Sequence, residues 1–76
     1  MNTNIYQIAQ QIKNKKDFEI FLKELRNNFD DNKSDWHNDK LDLFLEGLYG
    51  YNYNSDNEEA TWKKFAEILL AARVYE

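Results

Sequence analysis

The chain has 76 residues, with ten Lys and Arg against fourteen Asp and Glu, a net charge of −4, and no cysteine or proline. That length makes one domain, the single histidine and missing thiols exclude disulfides and a nitrogen–sulfur zinc site within one chain, and no cofactor is expected. The acidic balance disfavours nucleic acid, which needs a basic footprint, and is compatible with a basic protein partner. A domain this small buries only about 60–65% of its unfolded surface, and its 42% hydrophobic and 16% aromatic content supplies the core it needs.

No apolar run approaches the ~20 residues of a membrane span, and the first fifteen residues lack the unbroken apolar stretch of a leader; a cytoplasmic protein is expected. Ten Asn, with many Lys, Ile and Tyr, look like the drift of an AT-rich bacterial genome, so abundance of Asn or Tyr carries no functional weight.

In chain order, Thr3 or Asn2 can cap a first helix over residues 3–14, where Ile5, Ile8, Ala9 and Ile12 recur at helical spacing. Asp17 is the candidate cap of a second helix over 17–28, whose face is Phe18, Phe21, Leu22, Leu25 and Phe29; Ile20 lies off it. Residues 27–39 form a loop rich in Asn and Asp, with Trp36 expected to tuck beneath it. Asn38 or Asp39 then caps a third helix over 39–52, with Leu41, Phe44, Leu45, Leu48 and Tyr49 on one face and Leu43 off it. Gly47 and Gly50 imply either a close helix approach or fraying, since helical glycine costs about 1 kcal/mol against alanine. Tyr49, Tyr51 and Tyr53 alternate as a strand would, but are too few to make one, and an acidic connection follows.

The last helix, over 62–75 with Thr61 as its cap, organises the rest. Trp62, Phe65, Ala66, Ile68, Leu69, Leu70 and Ala72 cover more than half of its circumference, wider than the ~100° stripe of a surface helix, so it is expected at the centre. The fold class is therefore all-α: a compact single-domain bundle of four helices spanning residues 1–76.

The segment Trp62-Lys63-Lys64-Phe65-Ala66-Glu67-Ile68-Leu69-Leu70-Ala71-Ala72-Arg73-Val74-Tyr75-Glu76 resembles the W-x-x-F-A-x-x-L-x-A-A-x-x-Y-E ending of the DUF7660-type family of small bacterial proteins of unknown function. Asp17-Phe18 with Phe21-Leu22, and Trp36-x-Asn38 leading to Leu41 and Phe44-Leu45-Glu46, are similar to its other blocks in the same order, so the resemblance covers about two-thirds of the chain. The chain departs after Gly47, where the family often carries a Trp and a longer insertion. The resemblance implies the fold and a bacterial origin, and no activity.

Catalytic constellations are missing. Ser34 and Ser55 lie in polar loops without a glycine elbow, and His37 has no nucleophile related to it by a known pattern. The carboxylate pairs Asp30/Asp31, Asp39/Asp42 and Glu58/Glu59 sit where water solvates them, not in the apolar pocket a general acid needs. A calcium loop begun at Asp30 meets Asp35 at the glycine position and Leu41 at the bidentate glutamate position.

Arg73 falls inside the apolar arc of the last helix. It can be a buried anchor that pairs with an acidic loop or a partner's carboxylate, or a last-turn residue that satisfies C-terminal carbonyls. A non-enzymatic protein-interaction module is expected, with Tyr49, Tyr51, Tyr53, Asp56, Glu58, Glu59 and Arg73 as candidate partner-binding residues. Its sharper form is an immunity- or antitoxin-like inhibitor of a basic protein. The alternative is a small-molecule-binding or metabolic helper with a pocket near Arg73 and Trp36.

Overall fold

A computed structural model describes residues 4–56 and 58–75. They form four helices, α1 (Ile5–Gln10), α2 (Lys15–Asp31), α3 (Leu41–Asn54) and α4 (Trp62–Ala72), with a 3₁₀ turn at Lys33–Asp35. The all-α bundle is the expected class, and no strand occurs among the described residues. None of these helices is long and apolar enough to cross a membrane.

The boundaries differ from the expected ones for local reasons. Asn4 caps α1 by accepting the Tyr6 N–H, while Thr3 and Asn2 lie outside the described residues. That helix stops at Gln10 rather than at 14, and the turn that follows delivers Ile12 to the core. α2 starts at Lys15 because Asn14, not Asp17, is the cap. The Asn14 Oδ1 accepts the Asp17 N–H at 2.9 Å, and the Asp17 carboxylate accepts the Lys13 N–H at 3.1 Å. This reciprocal arrangement holds one orphan donor of the first turn and one N–H of the chain entering the helix, close to a capping box. α2 runs three residues past 28, keeping Phe29 helical against Trp36.

α3 begins at Leu41 and ends at Asn54. Lys40 stands at its cap position without a side-chain bond, and Asp42 accepts the Leu43 N–H instead. Neither Asn38 nor Asp39 caps it, because Asn38 is committed to the far end of α4. Its N–H donates to the Arg73 carbonyl, and its Nδ2 donates to the carbonyls of Ala72 and Tyr75, each at 2.8 Å. These bonds satisfy carbonyls that a helix end leaves orphaned, and α4 stops at Ala72 rather than at 75. Tyr49, Tyr51 and Tyr53 are all helical.

The expected core position of α4 holds: α1, α2 and α3 each pack on it. Phe21 is fully enclosed, and Ile5, Ala9, Ile12, Leu25, Trp36, Ala66 and Leu70 complete the buried cluster. Trp36 tucks under its loop as expected, between Phe29 at 5.0 Å and Phe44 at 5.7 Å. Trp62, by contrast, is 39% exposed, resting on Phe18 at 5.2 Å, so it is a flank of the core and not its centre.

Gly47 marks a close approach rather than fraying. A Cβ there would stand 2.8 Å from both the Ala72 carbonyl oxygen and the Asn38 amide nitrogen. At Gly50 the nearest atom is the Tyr75 ring, at 3.0 Å. Both glycines let α3 lie against the end of α4.

Candidate functional site

Arg73 follows the last residue of α4 and is only 3% exposed. Its Nε donates to the Leu70 carbonyl at 2.9 Å, Nη1 to Asn28 Oδ1 at 3.0 Å and Nη2 to the Tyr6 hydroxyl at 2.7 Å. The guanidinium also lies 5.4 Å from the Tyr6 ring centre and 5.8 Å from that of Trp36. The same Asn28 oxygen accepts the Trp36 indole N–H at 2.7 Å. One buried cation thus ties α1, α2, the Trp36 loop and α4 together. Among the described residues its hydrogen-bond partners are all neutral, so directed bonds and two ring faces take the place of an ion pair.

A polar cleft of about 490 Å³ opens beside this knot, with Glu24, Asp31 and Asp35 on its walls. Among the described residues no group of three or more His, Cys, Asp or Glu is placed to hold a metal ion.

The Tyr49–Glu59 segment divides. Tyr51 turns inward, donates to Glu67 Oε2 at 2.8 Å and meets Tyr75 edge-on at 5.6 Å. Its bond to the Glu67 carboxylate holds the phenol above its ordinary pKa, with burial and the glutamate's charge adding to the effect. Beside it the buried Lys64 donates to Ser55 Oγ and pairs with Glu67 at 3.4 Å, which fastens the α3–α4 connection to α4. Asp56, Glu58 and Glu59 are exposed along that connection. Tyr49 and Tyr53 project outward and stack on each other at 6.0 Å.

Those two tyrosines continue a feature that spacing alone did not single out. Leu41, Leu45, Tyr49 and Tyr53 recur every fourth residue along the whole of α3, and they are 74%, 51%, 72% and 75% exposed. Residues four apart on a helix form one ridge, so this is a continuous apolar ridge in water. It forms one lip of a groove. α2 supplies the other wall with Phe18, Leu22 and Phe29; the floor is Phe65, Ile68 and Leu69 of α4 at the Tyr49 end, and Leu25, Trp36 and Phe44 at the Leu41 end.

The groove exists because α2 and α3 both pack on α4 and nowhere bring their Cα atoms within 8 Å of each other. Two hollows of about 590 and 420 Å³ lie along it. The other side of α4 packs on α1, and Leu70 and Ala71 there line a small hollow with Tyr6, Ala9 and Gln10. The protein measures 15 Å in its thin direction, room for about two helix layers at 8–10 Å spacing, so no third layer roofs the groove. Single exposed apolar residues are ordinary; here they form a contiguous patch.

The model of a family of unknown function, DUF7660, matches residues 14–76. The chain belongs to the DUF7660 family. Neither a curated protein nor a solved structure matches it. The DUF7660 match begins at Asn14, the cap of α2, and includes both walls and the floor of the groove. α1 precedes it, yet Tyr6 of α1 completes the hydrogen bonding of Arg73. Within this DUF7660 domain Trp36, Asn38, Gly47, Ala72, Arg73 and Tyr75 meet one another at the end of α4, where each has a structural task.

Proposed function

We propose that this DUF7660 domain is a non-enzymatic protein-interaction module that receives an amphipathic helix of another chain in the groove between α2 and α3. The observation that carries the reading is the exposed ridge Leu41–Leu45–Tyr49–Tyr53 beside an unroofed apolar floor. A trough bounded by two helices and floored by a third accepts a further helix by the same ridge-and-groove packing that builds bundles. Aromatic residues at the lip suit the task, because Tyr offers large contact area with few torsions to fix.

The partner-binding residues in this reading are Tyr49 and Tyr53 with Leu41 and Leu45. Asp56, Glu58 and Glu59 follow Tyr53 in the exposed α3–α4 connection, and they would supply an acidic rim for the inhibitor-like version of the module. The small-ligand alternative finds less support: the cleft beside Arg73 is walled by carboxylates, and three donors of the guanidinium are already engaged.

A photo-reactive phenylalanine analogue placed at Leu45 or Tyr49, and separately at Gln7 or Gln10 on α1, tests this in cells that make the protein. Adducts from the α3 positions that vanish when Leu41→Lys is added, with none from α1, are expected. Equal adducts from both faces, or none from α3, would overturn it.

A further inference from the structure

The molecule that fills the groove is a second copy of this chain: we infer that α3 of one copy packs its apolar ridge into the α2–α3 groove of another, giving a two-fold dimer. This rests on the reading of the groove as a docking site and goes further by naming the occupant.

Three observations point to self-association. First, the protein carries both the groove and an element that would fill it. The α3 ridge of Leu41, Leu45, Tyr49 and Tyr53 is a helical apolar stripe of about four turns, the length and spacing that such a trough receives. Because this ridge is also a lip of the groove, insertion of α3 into a neighbour's groove brings the neighbour's α3 into its own. That reciprocity is the condition of an isologous interface, in which one patch meets itself.

Second, the charges at the groove balance. The charged residues lining it are Arg26 and Asp30 on the α2 wall and Asp39 and Lys40 before α3, one of each sign on each side. Among the described residues none of the four makes an ion pair. A surface shaped for a basic partner in a protein of net charge −4 would carry surplus acid here. This end of the groove is instead neutral and self-complementary: under a two-fold axis each positive group can face a negative one of the other copy.

Third, the area suffices. The uncovered parts of Leu22, Leu41, Leu45, Tyr49, Tyr53 and Phe65 come to roughly 700 Å² per copy, since fully exposed aromatic side chains present about 150–250 Å² and leucine somewhat less. Two copies would bury about 1,400 Å², inside the range of specific interfaces, before any polar rim is counted.

Sedimentation equilibrium of the purified full chain between about 5 and 500 µM is the test, with Leu45→Lys and Tyr49→Lys as variants and circular dichroism to verify folding. Both side chains are half or more exposed, so both variants should stay helical. The expected result is a mass rising with concentration towards twice the 9.2 kDa of the chain, with at least a tenfold weaker association in each variant. A wild type that stays at 9.2 kDa to 500 µM overturns the dimer. So does a dimer that both variants form unchanged, since it must then use another face. If the wild type is monomeric but α3 cross-links in cells to a chain of different mass, the groove still docks a helix and only its occupant was wrong. Monomer without adducts removes both readings.

Discussion

Lysine cannot replace Arg73, because one ammonium group cannot reach the Leu70 carbonyl, Asn28 and Tyr6 from the positions that Nε, Nη1 and Nη2 occupy. Hydrogen bonds from a buried charged donor are worth about 1.5–3 kcal/mol each against an unmade one, so Arg73→Lys should cost about 2–3 kcal/mol in urea unfolding. Gly47→Ala sets a helix-propensity gain of about 1 kcal/mol against a Cβ driven to 2.8 Å from a backbone carbonyl that cannot step aside. The clash should win, for a net loss of about 1–2 kcal/mol, whereas Gly50→Ala meets only the edge of a movable ring and should be near neutral. Tyr51, raised above its ordinary pKa of 10.0 mainly by its bond to Glu67, is stabilising while protonated. That contribution is complete below pH 10 and is lost as pH climbs through the raised value. The melting temperature of the wild type should therefore fall more steeply above pH 10 than that of Tyr51→Phe. At this scale the sequence placed Arg73 within the apolar arc of its helix. It could not show that a tyrosine 67 residues away and an asparagine 45 away would complete its bonding, because those meetings depend on tertiary packing.

Helices were legible where a single amphipathic stripe and a good cap coincide. Thr61 caps α4 as its position implies, its Oγ accepting the Lys64 N–H at 3.0 Å. Two of the misread boundaries involve an Asn or Asp with more than one use. Asp17 looked like a cap and proved to be the residue that Asn14 caps, and Asn38 looked like the start of α3 and proved to be the clasp on the end of α4. Asn14→Ala should cost about 1 kcal/mol as the loss of one capping bond. The two tryptophans separate more sharply. Trp36 is buried between two rings with its N–H satisfied, and its loss to Ala should cost about 3–5 kcal/mol. Trp62, more than a third exposed, should cost about half as much; a melt that ranks them in the opposite order would mean the core lies at the other end of α4.

For the molecule as a whole, the breadth of the apolar arc on α4 signalled that this helix is touched from several sides, and α1, α2 and α3 do so. Periodicity could not say which part of the arc stays uncovered. That follows from α2 and α3 standing apart on α4 over Phe65, Ile68 and Leu69. The Leu41, Leu45 and Tyr49 pattern was visible as an apolar face, and in a four-helix chain the ordinary expectation is that such a face lies inside. Here α3 turns Gly47 and, in part, Phe44 and Leu48 toward the rest of the fold, and leaves Leu41, Leu45 and Tyr49 in water. The molecule thus divides: the knot around Arg73 ties the helices together, and the ridge on α3 stands outside the core, where the proposed association would use it. Urea unfolding of Arg73→Lys and Leu45→Lys, side by side at about 1 µM where association is negligible, tests this division most directly. The division predicts that Leu45→Lys unfolds within about 0.5 kcal/mol of the wild type while Arg73→Lys loses about 2–3. A Leu45→Lys chain as damaged as Arg73→Lys would contradict it, because the ridge would then be part of the core.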